Sequence, residues 1–159
     1  MFAAEPLDLV QIGVRRGATV EFAGALQSLG LSPPEPGEAR SARGCDLIWL
    51  QPHTYLLAAP RGTMPALEAL ASFAALVEQS DGRSAFTLSG LKARDLLAQG
   101  CRLDFHPRVF GPGRAAGATL AHVNAVIQQT SAEPSFRIIV FSSFAQHIAE
   151  WLGHATASA

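Results

Sequence analysis

Apolar positions along this chain alternate with polar ones in some stretches and recur every three or four residues in others, the signatures of strand and amphipathic helix. Residues 7–14 (LDLVQIGV) read as a first strand, and Arg15-Arg16-Gly17 turns out of it. From Thr19 a helix is expected, with Phe22, Leu26 and Leu29 on one face and Gly30 just past its end, where a left-handed residue closes many helices. Ser32–Gly44 (SPPEPGEARSARG) is dense in helix and strand breakers and reads as a linker. Cys45–Leu50 and Thr54–Ala59 form a predicted hairpin, with Pro52 suited to a type I turn and Trp49 and Tyr55 flanking it. Thr63 is placed to cap a helix carrying Leu67, Leu70, Ala71 and Ala74.

The second half repeats this grammar loosely. Leu76–Ser80 and Ser84–Leu88 read as strands around Asp81-Gly82, a dipeptide favoured where φ is positive. Ser89 is a natural N-cap for a helix with Leu91, Leu96 and Leu97 inward and Gly100 closing it. After a loop from Asp104 to Gly113, strands are expected near Gly117–Ala121, Ala125–Thr130 and Phe136–Phe141, with a turn at Ser131–Pro134. Ser143 and Gln146 form a capping-box pattern for a last helix, on which Phe144, Ile148, Trp151 and Leu152 share a face. The fold class is α+β: a duplicated helix–hairpin motif with helices packed on an antiparallel or mixed sheet. Residues 1–152 are expected to form one domain, with 32–44 a linker inside it and 153–159 a flexible tail.

Composition bounds the function. The 159 residues and 16.8 kDa suit one domain with a sizeable core. The 48% hydrophobic content is inflated by twenty-eight alanines, so the share of large apolar side chains is ordinary. Charged residues make up 16%, against roughly 25% in a typical soluble domain. Eleven of the twelve basic residues are arginine, and Lys92 is the one lysine. Such a surface fits a subunit partly covered by partners, or equally a genome rich in alanine and arginine. A net charge of −1 argues against a nucleic-acid footprint, which needs a concentrated basic face. No window reaches the roughly 18 apolar residues of a membrane span, no signal-peptide pattern is present, and cytoplasm is the expected location. Cys45 and Cys101 are expected to be reduced core thiols.

Candidate chemistry concentrates in residues 79–113. Asp104-Phe105-His106 has the elements of a base oriented by a carboxylate, as general acid–base catalysis requires. No serine or cysteine stands nearby in a recognised nucleophile setting, although Cys101 lies three residues upstream. The simpler expectation is that Asp104 and His106 bond to the loop's own backbone or to a partner. Five histidines form no dense cluster, and His147 with His154 falls short of the three or four ligands zinc takes. Neither a nucleophile elbow nor a phosphate loop occurs. Trp49, Tyr55 and Trp151 read as packing residues. No catalytic, cofactor-binding or metal-binding residue is therefore expected.

The same segment resembles the gamma subunit of heterotetrameric sarcosine oxidase. The shared pattern stands here as Ser80-Asp81-Gly82-Arg83, Leu88-Ser89-Gly90, Ala93-Arg94-Asp95, Leu97-Ala98, Gly100-Cys101, Leu103-Asp104, His106-Pro107, Phe110 and Pro112-Gly113. The hairpin Ile48-Trp49-Leu50-Gln51-Pro52 through Tyr55-Leu56-Leu57 and the closing stretches Ser143-Phe144 and Glu150-Trp151-Leu152 extend the likeness over roughly residues 45–152. Leu91-Lys92 departs from it, since the family usually has proline after Ser-Gly, and the segment before residue 45 is shorter than in many gamma subunits.

The likeness extends more weakly to the folate-binding aminomethyltransferase domain of the glycine-cleavage T-protein. It implies a complex that oxidatively demethylates sarcosine or a similar N-methyl amine, in sarcosine catabolism and one-carbon metabolism. FAD, FMN, NAD and tetrahydrofolate would lie on other subunits and zinc on the delta subunit. This chain would pack directly on the alpha subunit as a structural, non-catalytic member, with beta and delta completing the heterotetramer. Asp104, His106, Arg108, Phe110 and Trp49 are the expected partner-facing residues. The alternative is a stand-alone tetrahydrofolate- or pterin-binding module or aminomethyltransferase-like protein.

Overall fold

A computed structural model describes residues Met1–Ala159. The strands are β1 (Phe2–Glu5), β2 (Leu7–Val14), β3 (Ala39–Ala42), β4 (Cys45–Gln51), β5 (Thr54–Pro60), β6 (Ala74–Glu78), β7 (Arg83–Ser89), β8 (Ala115–Leu120), β9 (Val123–Ser131) and β10 (Ser135–Phe141). The helices are α1 (Thr19–Gln27), α2 (Glu68–Ala71), α3 (Ala93–Gly100) and α4 (Ala145–Ala157). None is long and apolar enough to cross a membrane.

The α+β class and the duplication are both present, and the duplication is tighter than the sequence pattern indicates. Each half of the chain runs strand, strand, helix, three-strand meander, helix. The two five-stranded sheets have matching orders, β3-β4-β5-β2-β6 and β8-β9-β10-β7-β1. Every pairing is antiparallel. The first strand of each half thus belongs to the other half's sheet. Compact units follow this exchange rather than the midpoint: Pro6–Asp81 forms one, and Met1–Glu5 with Gly82–Ala159 forms the other.

In the unit Pro6–Asp81, β2 lies between β5 and β6, so Leu9, Val10 and Ile12 are all buried. Phe22 and Leu26, four residues apart on α1, are fully buried, and Phe22 stacks on Tyr55 with ring centroids 5.8 Å apart. Trp49 pairs directly with Tyr55 across the expected hairpin. His53 has φ +60, however, which excludes type I geometry and belongs to a type II arrangement after Pro52. Two further expectations fail here. The breaker-rich stretch contains β3, because its prolines end at Pro36 and residues 39–42 are free to pair at the sheet edge with β4. The helix expected from Thr63 is a single turn, α2, and Ala74 already begins β6.

In the other unit, Phe86, Leu88, Ile127, Phe136, Ile138, Ile148 and Leu152 build one core under α3 and α4. Gly82 does not take a positive φ, and β6 and β7 do not pair with each other; Asp81-Gly82 is the crossing between units rather than a hairpin turn. Ser89 is the last residue of β7, not a helix cap, and α3 begins four residues later with no side-chain cap. Leu91, on the intervening turn, is 90% exposed. The capping box fails as well, because residues 142–144 form a 3-10 turn ahead of α4 and leave Phe144 exposed. Helix α4 continues to Ala157, five residues past its expected last turn, and Ala155 is buried on it.

β1 is a short edge strand held by more than its ladder. Arg137 on β10 donates from Nε and Nη2 to the Glu5 carboxylate, at 2.7 Å for the closest pair, and from Nη1 to Gln128. Thr87 on β7 donates to the same carboxylate. The ion pair is only 11% and 23% exposed. Arg137→Ala would strand the Glu5 carboxylate, and removing one partner of a fully buried pair costs roughly 3–5 kcal/mol. With some solvent contact retained, we expect a loss of about 2–4 kcal/mol in urea denaturation; a loss below ~1 kcal/mol would show that β1 docks without the pair.

Candidate functional site

The loop from Cys101 to Arg114 is fixed from beneath by one side chain. Arg94 leaves the first turn of α3 between the buried Ala93 and Leu96. Its Nη1 donates to the backbone carbonyls of Phe105 and Phe110, and its Nη2 donates to Gln129 Oε1 at 2.9 Å. The guanidinium lies 5.4 Å from the centre of the Phe136 ring. Gln129, itself 1% exposed, passes the constraint on by donating to Ser131 O at 2.8 Å. A planar, always-charged group with five donors is suited to several carbonyl acceptors at once, which a lysine is not.

An aromatic cluster completes the base. Phe105, Phe110 and Phe136 pack with centroids 5.6–6.3 Å apart, two of the three contacts edge-on. Phe105 and Phe110 are each 5% exposed. Phe110 was expected to face a partner; instead its ring is spent on the chain's own core, where it anchors the loop.

On the outer side, the polar groups satisfy the loop's backbone. Asp104 Oδ1 accepts the His106 backbone N–H at 2.9 Å, and His106 Nδ1 accepts the Arg108 backbone N–H at 3.2 Å. The His106 carbonyl takes the N–H groups of Val109 and Phe110. A carboxylate that orients a catalytic imidazole must bond to the ring, and Asp104 bonds to the backbone instead. The Arg108 backbone N–H already occupies Nδ1 of that ring. Asp104, His106 and Arg108 are exposed, so the loop presents their outer edges. Trp49 is half-buried on β4 in the other unit.

The cysteines are both free and buried. Burial, and after it the neighbouring Asp46 charge, push the Cys45 thiol above its ordinary range, which keeps it protonated and unreactive at neutral pH. Cys101 bridges Leu120 on β8 and faces the core. The histidines do not assemble with other acids or thiols into a set of three that could grip one ion. His147 and His122 both line an open cleft of about 750 Å³ between α3, α4 and the β8–β9 hairpin. Gly100 forms the close approach there: a Cβ at this position would lie 2.5 Å from Cζ2 of Trp151. Its φ is not positive, so the glycine serves space rather than helix closure.

Sequence reasoning missed Arg94, Gln129, Gly100 and His122 as organisers. An arginine flanked by buried helix positions was the one available signal for Arg94.

With this geometry in place, comparison with known proteins is decisive. The model of the sarcosine oxidase, gamma subunit family matches residues 16–158. The chain belongs to that family. It is 34% identical over 149 residues to a sarcosine oxidase subunit gamma from Arthrobacter sp., covering 89% of this chain and 73% of that protein. Among solved structures, it superposes on a chain of heterotetrameric sarcosine oxidase from Corynebacterium sp. U-96, in complex with pyrrole 2-carboxylate, with a TM-score of 0.86 and 28% identity. That match covers 99% of this chain and 84% of the other. Aminomethyltransferase T of the glycine cleavage system from Bartonella henselae shares the fold, with a TM-score of 0.68 and 17% identity over 95% of this chain and 44% of that one. The resemblance of the Asp81–Gly113 segment to gamma subunits and the T-protein-like fold class are thus both established, and the gamma-subunit segment maps onto the Arg94-clamped loop.

Two measurements test the clamp and the cleft. Arg94→Ala leaves two carbonyls and the Gln129 amide without a donor, at roughly 1–3 kcal/mol for each group that stays buried. We expect a net loss of about 2–4 kcal/mol and faster proteolysis within residues 104–113, with Arg94→Lys recovering about half. Gly100→Ala overpacks Trp151 and should cost about 1–3 kcal/mol, an effect that Trp151→Phe should relieve.

Proposed function

We propose that this gamma-subunit homologue serves a heterotetrameric sarcosine oxidase as a structural, non-catalytic subunit. Its contribution is to bury surface of the alpha subunit as the direct partner, with beta and delta elsewhere in the same assembly. The oxidative demethylation of sarcosine or a similar N-methyl amine would proceed on the other chains, which would carry FAD, FMN, NAD and tetrahydrofolate, in the cytoplasm. Residues 1–152 act as one module in this reading.

The observation that carries it is how the segment matched to gamma subunits uses its polar groups. Asp104 and His106 stabilise their own loop, Arg94 and the phenylalanine cluster hold that loop rigid, and the exposed edges of Asp104, His106 and Arg108 are left facing outward. A rigid polar loop loses little conformational entropy on binding, which favours association without any chemistry of its own. Val109, 53% exposed beside Arg108, gives the surface an apolar centre. Trp49, half-buried on β4, is a second contact in the proposal.

Co-expression with the larger subunits tests this. Leaving the chain out should abolish assembly or sharply lower its yield. Asp104→Ala or His106→Ala should weaken assembly several-fold, while turnover per correctly assembled complex stays within about twofold of the parent. A large loss of turnover in fully assembled complex would place the loop in the chemistry and sink the structural reading.

A further inference from the structure

The outer edge of β8 has no strand beside it. β8 is the terminal strand of its sheet and pairs only with β9. In the antiparallel ladder, Leu120 and Val123 flank a two-residue turn, so backbone groups alternate inward and outward from there. Gly117 and Thr119 point their backbone groups outward, and because the Cys101–Leu120 bridge runs along this edge at Thr119 and Ala121, its open part is the Gly117 N–H and C=O and the Thr119 N–H. Both residues are exposed, and a Cβ at Gly117 would meet nothing within 4 Å. Proteins usually blunt such an edge with lysine, proline, a bulge or a covering segment. β8 (AAGATL) has no charge and no proline, its register against β9 is unbroken, and only its end at Leu120 is covered, by Cys101.

The edge leads directly into the cleft. Ala118 and Thr119 form one wall of it, and Arg102, His122, His147 and Trp151 form others. No aspartate or glutamate lines it, whereas an arginine and two histidines do. His122 is held there by the backbone. Ala121 and His122 both take left-handed conformations, φ +47 and +68, as the centre of the β8–β9 turn. The Ala121 N–H bonds to the Gly100 carbonyl at 2.9 Å, and the Ala121 carbonyl lies 2.8 Å from His147 Nε2. A carbonyl only accepts, so Nε2 carries the proton.

We propose that the β8 edge takes up an extended acidic segment of another subunit as an added strand, with one of its carboxylates entering the cleft beside Arg102, His122 and His147. Main-chain hydrogen bonds to Gly117 and Thr119 supply affinity in this mode, and the cleft supplies selectivity. The charge of the cleft walls selects a carboxylate over an amine or an apolar side chain. This surface is separate from the Asp104–Arg108 loop, and the inference rests on the chain's membership of a multi-subunit oxidase.

Hydrogen exchange on the complex purified from co-expression, compared with the isolated chain, tests it. The Gly117 and Thr119 amides should exchange at least about tenfold more slowly in the complex. Arg102→Glu combined with His122→Glu should weaken retention of the partner by roughly tenfold, most strongly at low salt. Gly117→Pro removes an outward donor without breaking the β9 ladder and should weaken it independently, which guards against misfolding of the double variant. A complex that forms with both amides as fast as in the free chain overturns the inference and leaves the structural-subunit reading standing. Failure to form any complex overturns both. Protection of these amides by self-association of the isolated chain would assign the edge to a second copy instead. Protection of the cleft by free succinate, with the strand amides unchanged in the complex, would reduce it to a small-carboxylate site; either result overturns the proposal.

Discussion

The C-terminal sheet closes on a strand that the chain makes first. Glu5 and Arg137 meet across 132 positions, and their carboxylate–guanidinium pair, shared with Thr87 and Gln128, fixes β1 against β7. Four residues with an edge ladder would be a marginal strand on their own. The pair supplies directionality, because only one register of β1 brings Glu5 over Arg137. Everything else in that unit inherits the constraint: Met1 to Ser89, the turn at Gly90 that follows, and the start of α3. A cut at the Asp81–Gly82 crossing would leave the second unit short of an edge strand, even though each core is contiguous. Such non-local closure also places this fold among the slower ones, since loop entropy must be lost before the contact returns anything.

Above that frame, a second charged group does for the loop what Arg137 does for the sheet. Arg94 takes three acceptors that would otherwise be buried without donors, and the phenylalanine cluster supplies the apolar remainder. Unpaired polar groups in a dry interior are costly, so the loop has one low-energy arrangement rather than several. This explains why so polar a segment is compatible with a structural role. Its buried polar groups are satisfied, and what it presents outward is a shape held in place.

Much of this was legible in the chain. Strands β2, β4, β5, β9 and β10 sit where alternation and β-branched residues place them, because each is flanked on both sides or faces a core. The errors share a cause. β3, α2 and the turn before α3 are short elements whose existence depends on a neighbour rather than on their own pattern. Ser89 has cap chemistry, yet pairing with Ser135 on β10 claims its backbone first. Leu91 reads as core by periodicity and is pushed outward because the helix starts later. Phe110 looks like an exposed aromatic in a polar loop, and only the position of Phe105 and Phe136 reveals that it points inward. The family motif was readable in sequence; Arg94's role within it was not, since its acceptors are backbone carbonyls that no side-chain pattern announces.

The internal duplication provides a comparison within one molecule. The β3–β4 turn is built from Arg43 and Gly44, both left-handed, with φ +51 and +80. Its counterpart, the β8–β9 turn, puts Ala121 and His122 in the same conformation. Glycine adopts it freely, whereas other residues lose roughly 1–2 kcal/mol each. The first half therefore meets the geometric demand at one position with the inexpensive residue, and the second half does so at neither. The turn itself does not require the difference, since both hairpins close. What differs is the surroundings: the β8–β9 turn borders the cleft, with its carbonyl against His147 and its amide on Gly100. His122 puts a side chain on the cleft wall, where Gly44 puts none. Local strain of this kind is held in place only by surrounding structure that over-determines it, here the Gly100 carbonyl and the His147 ring on the two backbone groups of Ala121, and the Cys101 bridge on Leu120 before it.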